Sequence, residues 1–189
     1  VTEAEKKGIL TLCGFKKGQE EADLSNKELD PIDARLIARE LISGFVSASL
    51  TNLNLATNKL CGIDNDGNGA YDATGIQAIA TALNVNASIT NLNVLSNSIG
   101  TEGGQALVDA APPQLQTFCG LEEGQTEADL SGKHLGPGDA VLLAWELTTG
   151  FVSASITSAD LSLNQIGKDG AVALGKALEV NASLTELNV

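Results

Sequence analysis

The sequence predicts an α/β solenoid, with parallel strands on one side of a row of stacked coils and helices on the other. Three observations carry this. The second half of the 189-residue chain restates the first: GFVSAS at Gly44–Ser49 returns at Gly150–Ser155, and EADLS at Glu21–Ser25 returns at Glu127–Ser131, both 106 residues on. Inside each half a shorter unit recurs, an alternating stretch followed by apolar residues at helical spacing. The chain is 43% hydrophobic but only 3% aromatic, so its core must be built from Leu, Ile, Val and Ala.

The clearest unit is Ile156–Ser183. Its first part alternates as a half-buried strand does, and in its second part Ala171, Leu174 and Leu178 share a helical face. Further copies start at Leu50, Ile89 and Leu184. Two longer copies start near Leu10 (LTLCGF) and at Leu115 (LQTFCG), each read as a strand followed by an acidic insertion before ADLS. Their helices, Pro31–Leu41 and Pro137–Leu147, carry proline in the first turn, where its missing N–H does no harm. One strand and one helix cannot bury their apolar faces alone, whereas coils stacked side by side share a core. A single domain of about five coils is expected, spanning 10–49, 50–88, 89–114, 115–155 and 156–183, with a terminal strand at 184–189. The chain starts at Val1, contains no Met and stops in mid-unit, which reads as a fragment or as an edge-on part of a longer assembly.

The recurring Leu-x-x-Leu-x-Leu-x-x-Asn-x-Ile-Gly pattern resembles leucine-rich repeats, in particular the strand-plus-helix subtype of ribonuclease inhibitor and the arrays of algae and other protists. The resemblance covers the chain from Leu10 onward. It implies a leucine-rich-repeat solenoid with a curved parallel sheet on the concave side and helices on the convex side. It also implies that Asn58, Asn97 and Asn164 bond turn backbone between neighbouring coils; Lys27 and Lys133 stand at that position in the two longer copies.

Charge narrows the function. A net charge of −13 repels phosphate backbones and anionic membrane surfaces, which excludes direct nucleic-acid binding and favours basic protein partners. No apolar run is long enough to span a bilayer, and no secretory signal opens the chain. Three cysteines without CxxC spacing suggest buried thiols in an intracellular, reducing compartment. Catalysis finds no constellation: His134, the only histidine, falls where the first half has Glu28, at a turn. Asn86-Ala-Ser and Asn181-Ala-Ser match a glycosylation acceptor, but both occupy one helix-to-strand turn position. The expectation is a non-catalytic protein-interaction module or scaffold subunit of a larger complex.

The alternative reading lies in GIDNDGNGAYD, Gly62–Asp72. Leu60 to Gly75 spans 15 residues where Ile166 to Gly170 spans 4, so this is an 11-residue insertion in a strand-to-helix turn. It begins as a calcium loop does, with Asp64, Asp66 and Asn68 at the first three ligand positions, Gly69 at the sharp turn and Asp72 at the ninth position. The twelfth position, which needs a bidentate Glu, is Gly75. An Asp/Gly-rich surface loop anchored by Cys61 and Tyr71 is the competing reading, so no cofactor is required and calcium is the one to test.

Contact residues follow from aligning the units. The outward helix positions are Arg35 and Arg39, Gln77 and Thr81, Gln105 and Asp109, Val141 and Trp145, Val172 and Lys176. Val141, Trp145 and Val172 form an apolar patch, and isolated patches of this kind mark docking surfaces. The acidic loop residues Glu122 and Glu123 are further contact candidates. The outward strand positions are small and polar, without the Trp, Tyr or Arg of interface hot spots.

Overall fold

A computed structural model describes residues 13–43, 46–64, 66–149 and 152–189. The Leu10–Leu12 start of the first coil and the Gly44–Phe45 and Gly150–Phe151 pairs of the GFVSAS repeat lie outside these residues. Six three-residue strands alternate with five helices: β1 (Glu21–Asp23), α1 (Pro31–Ile42), β2 (Asn52–Asn54), α2 (Thr74–Leu83), β3 (Asn91–Asn93), α3 (Thr101–Asp109), β4 (Glu127–Asp129), α4 (Pro137–Thr149), β5 (Ser158–Asp160), α5 (Gly167–Leu178) and β6 (Glu186–Asn188). The strands form two parallel sheets, β1-β2-β3 and β4-β5-β6, each in chain order. Each helix packs on the next, α1 on α2 through to α4 on α5.

The strand centre is the most buried residue of each strand: Leu53 pairs with Ala22 and Leu92, and Ala159 pairs with Ala128 and with Leu187, which is only partly buried at the β6 edge. Helices supply Ile37, Leu41, Ile76, Ile79, Leu83, Leu107, Leu142, Leu147 and Leu174 to the same core cluster. Close helix packing needs small residues. A Cβ on Gly75 would meet Ala34 and Pro31 of α1, and one on Gly170 would meet Ala140 and Pro137 of α4. In α5 the expected shared face divides: Leu174 is buried, while Ala171 and Leu178 are exposed. Their counterparts Ile76 and Leu83 in α2 are buried because α3 follows and covers them, whereas no described helix follows α5.

Helix starts obey local chemistry. Asp30 caps α1 through the N–H groups of Ile32 and Asp33, while Asp33 accepts from the Asp30 N–H, a reciprocal box ahead of a helix with Pro31 in its first turn. The turns are tied by asparagines. Asn58 Nδ2 donates to the carbonyls of Leu24 and Leu55, and its Oδ1 accepts from Lys27 and Leu29 N–H. Asn97 spans the second and third units from Leu55 O to Leu60 N, and Asn164 spans the fourth and fifth from Leu130 O to Leu135 N. Each joins its own turn to the preceding unit, so these buried backbone groups are satisfied. Asn86 and Asn181 do the same at the other turn, donating to last-turn carbonyls of the helix in the preceding unit, Leu41 O of α1 and Leu147 O of α4.

The longer copies differ from the sequence reading. Their described strands lie at Glu21–Asp23 and Glu127–Asp129, within EADLS, and the strand expected in LQTFCG is only an isolated bridge at Thr117; the start of LTLCGF lies outside the described residues. In the second copy, residues 116–118 lie beside β3: Asn91 bridges Thr117, and Leu92 and Val94 N–H donate to Thr117 O and Phe118 O. That segment takes the edge of β3 that β4 would otherwise occupy, so the sheet layer breaks there while the helix layer continues. Strand propensity over so few residues could not tell which of two short stretches would pair.

Candidate functional site

The break between the halves is bridged by α4. Lys133 stands where an asparagine would tie the third unit to the fourth, and Asp139 does that work instead. Its Oδ2 accepts from Gly136 N–H at 2.8 Å, capping its own helix, and its Oδ1 accepts from Ser96 N–H of the third unit at 2.9 Å. Ser96 Oγ completes the link by donating to Lys133 O at 2.6 Å. Burial pushes the Asp139 carboxyl up to about 6, against the pull of the Gly136 and Ser96 N–H groups.

Two turns further on, Glu146 is fully buried. Its Oε1 accepts from Thr117 Oγ1 and Phe118 N–H, both at 2.7 Å, and from Cys119 N–H at 2.6 Å. Burial raises the Glu146 carboxyl, and the donors from Thr117, Cys119 and Phe118 oppose the rise. Sequence reasoning passed over both acids. The available signal was their repetition 106 residues apart, as Asp33 and Glu40, on helices whose other inward positions are apolar. Burial also raises all three thiols, Cys13 to about 11, Cys61 to about 12 and Cys119 well above its ordinary value, which leaves them protonated and unreactive.

The apolar helix patch is corrected in one respect. Val141 is not outward but 8% exposed, because α3 and α5 close over it from either side. Trp145 is half-buried, its ring meeting Phe118 edge-on with centroids 5.0 Å apart and planes at 64°. Val172 is exposed as expected, at 50%. The three line one open groove of about 500 Å³ between α3, α4 and α5, with Val108, Ala144 and Ala173 inside it and Gln105, Asp169 and Lys176 around it. The other outward pairs, from Arg35 and Arg39 to Gln105 and Asp109, are exposed.

Glu122 and Glu123 are exposed on the loop before β4, and Glu122 lines a cleft over the strands. The structure therefore does not join them to the Trp145 groove. They belong to a second surface.

The inserted loop is a small hairpin. Ile63 bridges Gly69 antiparallel, and Asp64 N–H donates to Asn68 O. Asp64 Oδ1 accepts from Asp66 N–H, Asn68 N–H and Asn68 Nδ2, so it caps its own turn, and those donors hold its carboxyl below the usual range. Asp72 accepts from Thr74 N–H at the start of α2. Among the described residues no three His, Cys, Asp or Glu side chains gather as metal ligands, so Asp64, Asp66 and Asp72 are not brought together. Asn68 turns its amide N–H toward Asp64, where a calcium ligand would turn its oxygen. The anchors are as expected: Cys61 is buried and its carbonyl receives Asp72 N–H, while Tyr71 Oη lies over the start of α3 at Gly100 and Gly103. His134 is exposed, with φ of +57° at its turn.

No helix of the described residues is long and apolar enough to cross a membrane. Compared with known proteins, the chain matches no protein-family model and none of the curated proteins.

Proposed function

We propose that this chain is a non-catalytic protein-interaction module, a leucine-rich-repeat solenoid of the ribonuclease-inhibitor-like subtype that serves as a scaffold subunit of a larger complex. The observation that carries this reading is the open groove between α3, α4 and α5. It has an apolar floor at Val141 and Ala144, an aromatic wall at Trp145 and an exposed apolar rim at Val172. Tryptophan beside an apolar groove that a partner would desolvate is the composition of an interface hot spot. The buried carboxylates of Asp139 and Glu146 are tied to backbone N–H groups, which supports a structural role for them over an acid–base one.

The experiment is capture of the partner from the native source by the purified chain, with Val172→Asp in parallel. Val172 is exposed, so its substitution leaves the core intact, whereas Trp145→Asp would also break the contact with Phe118. Val172→Asp is expected to lose the partner while keeping the wild-type melting temperature. Undiminished capture by that variant removes the groove from the reading.

A further inference from the structure

Among the described residues, lysine and arginine are absent from the six strands, and carboxylates hold half of their outward positions. In the first sheet the outward rows read Glu21–Asn52–Asn91 and Asp23–Asn54–Asn93. In the second they read Glu127–Ser158–Glu186 and Asp129–Asp160–Asn188. The helix side differs, since Arg35, Arg39 and Lys176 lie exposed there. The helix side is thus mixed in charge, whereas the described strands present carboxylates, amides and Ser158 and no cation.

The first sheet adds shape. Residues 117–122 turn over its β3 edge through Gly120, whose φ of +70° brings the loop against the Asn93 side chain. The result is a cleft of about 310 Å³ with Asn52, Asn54, Asn91 and Asn93 on its floor, Glu21 and Asp23 on one wall and Glu122 on the other. Asn52 Nδ2 donates to Glu21 Oε1 at 3.2 Å and orients that carboxylate. Ser25 donates to Asp23 and keeps it ionised well into the acid range. Asn91 Oδ1 is enclosed at the floor, an acceptor with no donor among the described residues.

We propose that this strand face docks an extended arginine- and lysine-rich segment of a protein partner. Guanidinium groups present several N–H donors in a fixed fork, which matches the carboxylates of Glu21, Asp23 and Glu122 that flank the cleft. Single exposed pairs contribute little, so binding depends on several pairs acting together and on steering by the anionic face. The proposal rests on the reading of the chain as an interaction module and assigns that module a second surface.

The test is fluorescence anisotropy with a labelled deca-arginine peptide near physiological salt, where the Debye length is about 8 Å. Glu21→Lys/Glu122→Lys reverses both walls of the cleft. Glu102→Lys/Glu179→Lys makes the same change in net charge on exposed helix-end positions. The first pair is expected to weaken binding about tenfold or more, equivalent to about 1.4 kcal/mol, and the second less than about threefold. Equal weakening by both pairs would reduce the effect to net charge and overturn the proposal, as would absence of binding by the wild-type chain. Either failure leaves capture through the Val172 groove to be judged on its own result.

Discussion

At the scale of single residues, Asp139 shows how one repeat position acquires a new duty. Its counterpart Asp33 closes a capping box within α1, whereas Asp139 caps α4 and also holds Ser96 of the preceding unit. The second bond costs full burial. Its carboxyl titrates at about 6 in the fold against 3.8 as its reference value, so the folded chain retains this proton where the unfolded chain has released it. The contribution of this group to stability therefore rises as pH falls from 6 toward 3.8, and above 6 its ionised form costs about 3 kcal/mol. Asp139→Asn removes the titration and replaces one accepting oxygen by an N–H₂. In urea unfolding at pH 7.5 the relief of the buried charge and the loss of one accepting oxygen oppose each other, and the variant is expected to lie within about 2 kcal/mol of wild type. Between pH 7.5 and pH 4.5 wild type is expected to gain about 2 kcal/mol on the variant; a constant difference across that range would show that Asp139 does not titrate there. The position could be read from the sequence as a helix-start acid; its partner across the break could not, because Ser96 is 43 residues away.

At the scale of elements, the Gly62–Asp72 insertion is a hairpin held by its own side chains and by glycine. Gly69 has φ of +120° and faces Gly62 O so closely that an added Cβ would collide with backbone. Gly69→Ala is expected to open the hairpin locally at a cost above about 1 kcal/mol. Faster hydrogen exchange at Asp66–Ala70 with an unchanged α2 would register it, and unchanged protection would show that the loop does not depend on this turn. Millimolar calcium is expected to leave the same amides unaltered, since Asp64 is engaged by Asn68. Here the sequence exposed the insertion, its boundaries and its Cys61 and Tyr71 anchors. The ligand-like spacing of Asp64, Asp66 and Asn68 was equally legible but ambiguous, because spacing along a chain does not fix the direction in which a side chain points.

At the scale of the whole molecule, one aliphatic core runs through both halves although the strand layer is interrupted. Leu41 and Leu147 occupy matching positions 106 residues apart, and both are fully buried. Leu41→Ala and Leu147→Ala are each expected to destabilise by about 2–5 kcal/mol and to shift one shared unfolding transition. Two separable transitions, each answering to one variant, would show that the halves unfold independently in spite of their common core.

The sequence by itself determined the period, the alternation of strand and helix and the aliphatic interior. These depend on residue spacing within one unit, and the same spacing recurs along the chain. Only the tertiary structure decided that Thr117 takes the edge of β3, that α3 and α5 close over Val141, that Trp145 rests on Phe118, and that Asp139 and Glu146 bridge the break. Those outcomes depend on which surfaces meet, and burial, unlike helical spacing, belongs to pairs of elements distant in the chain.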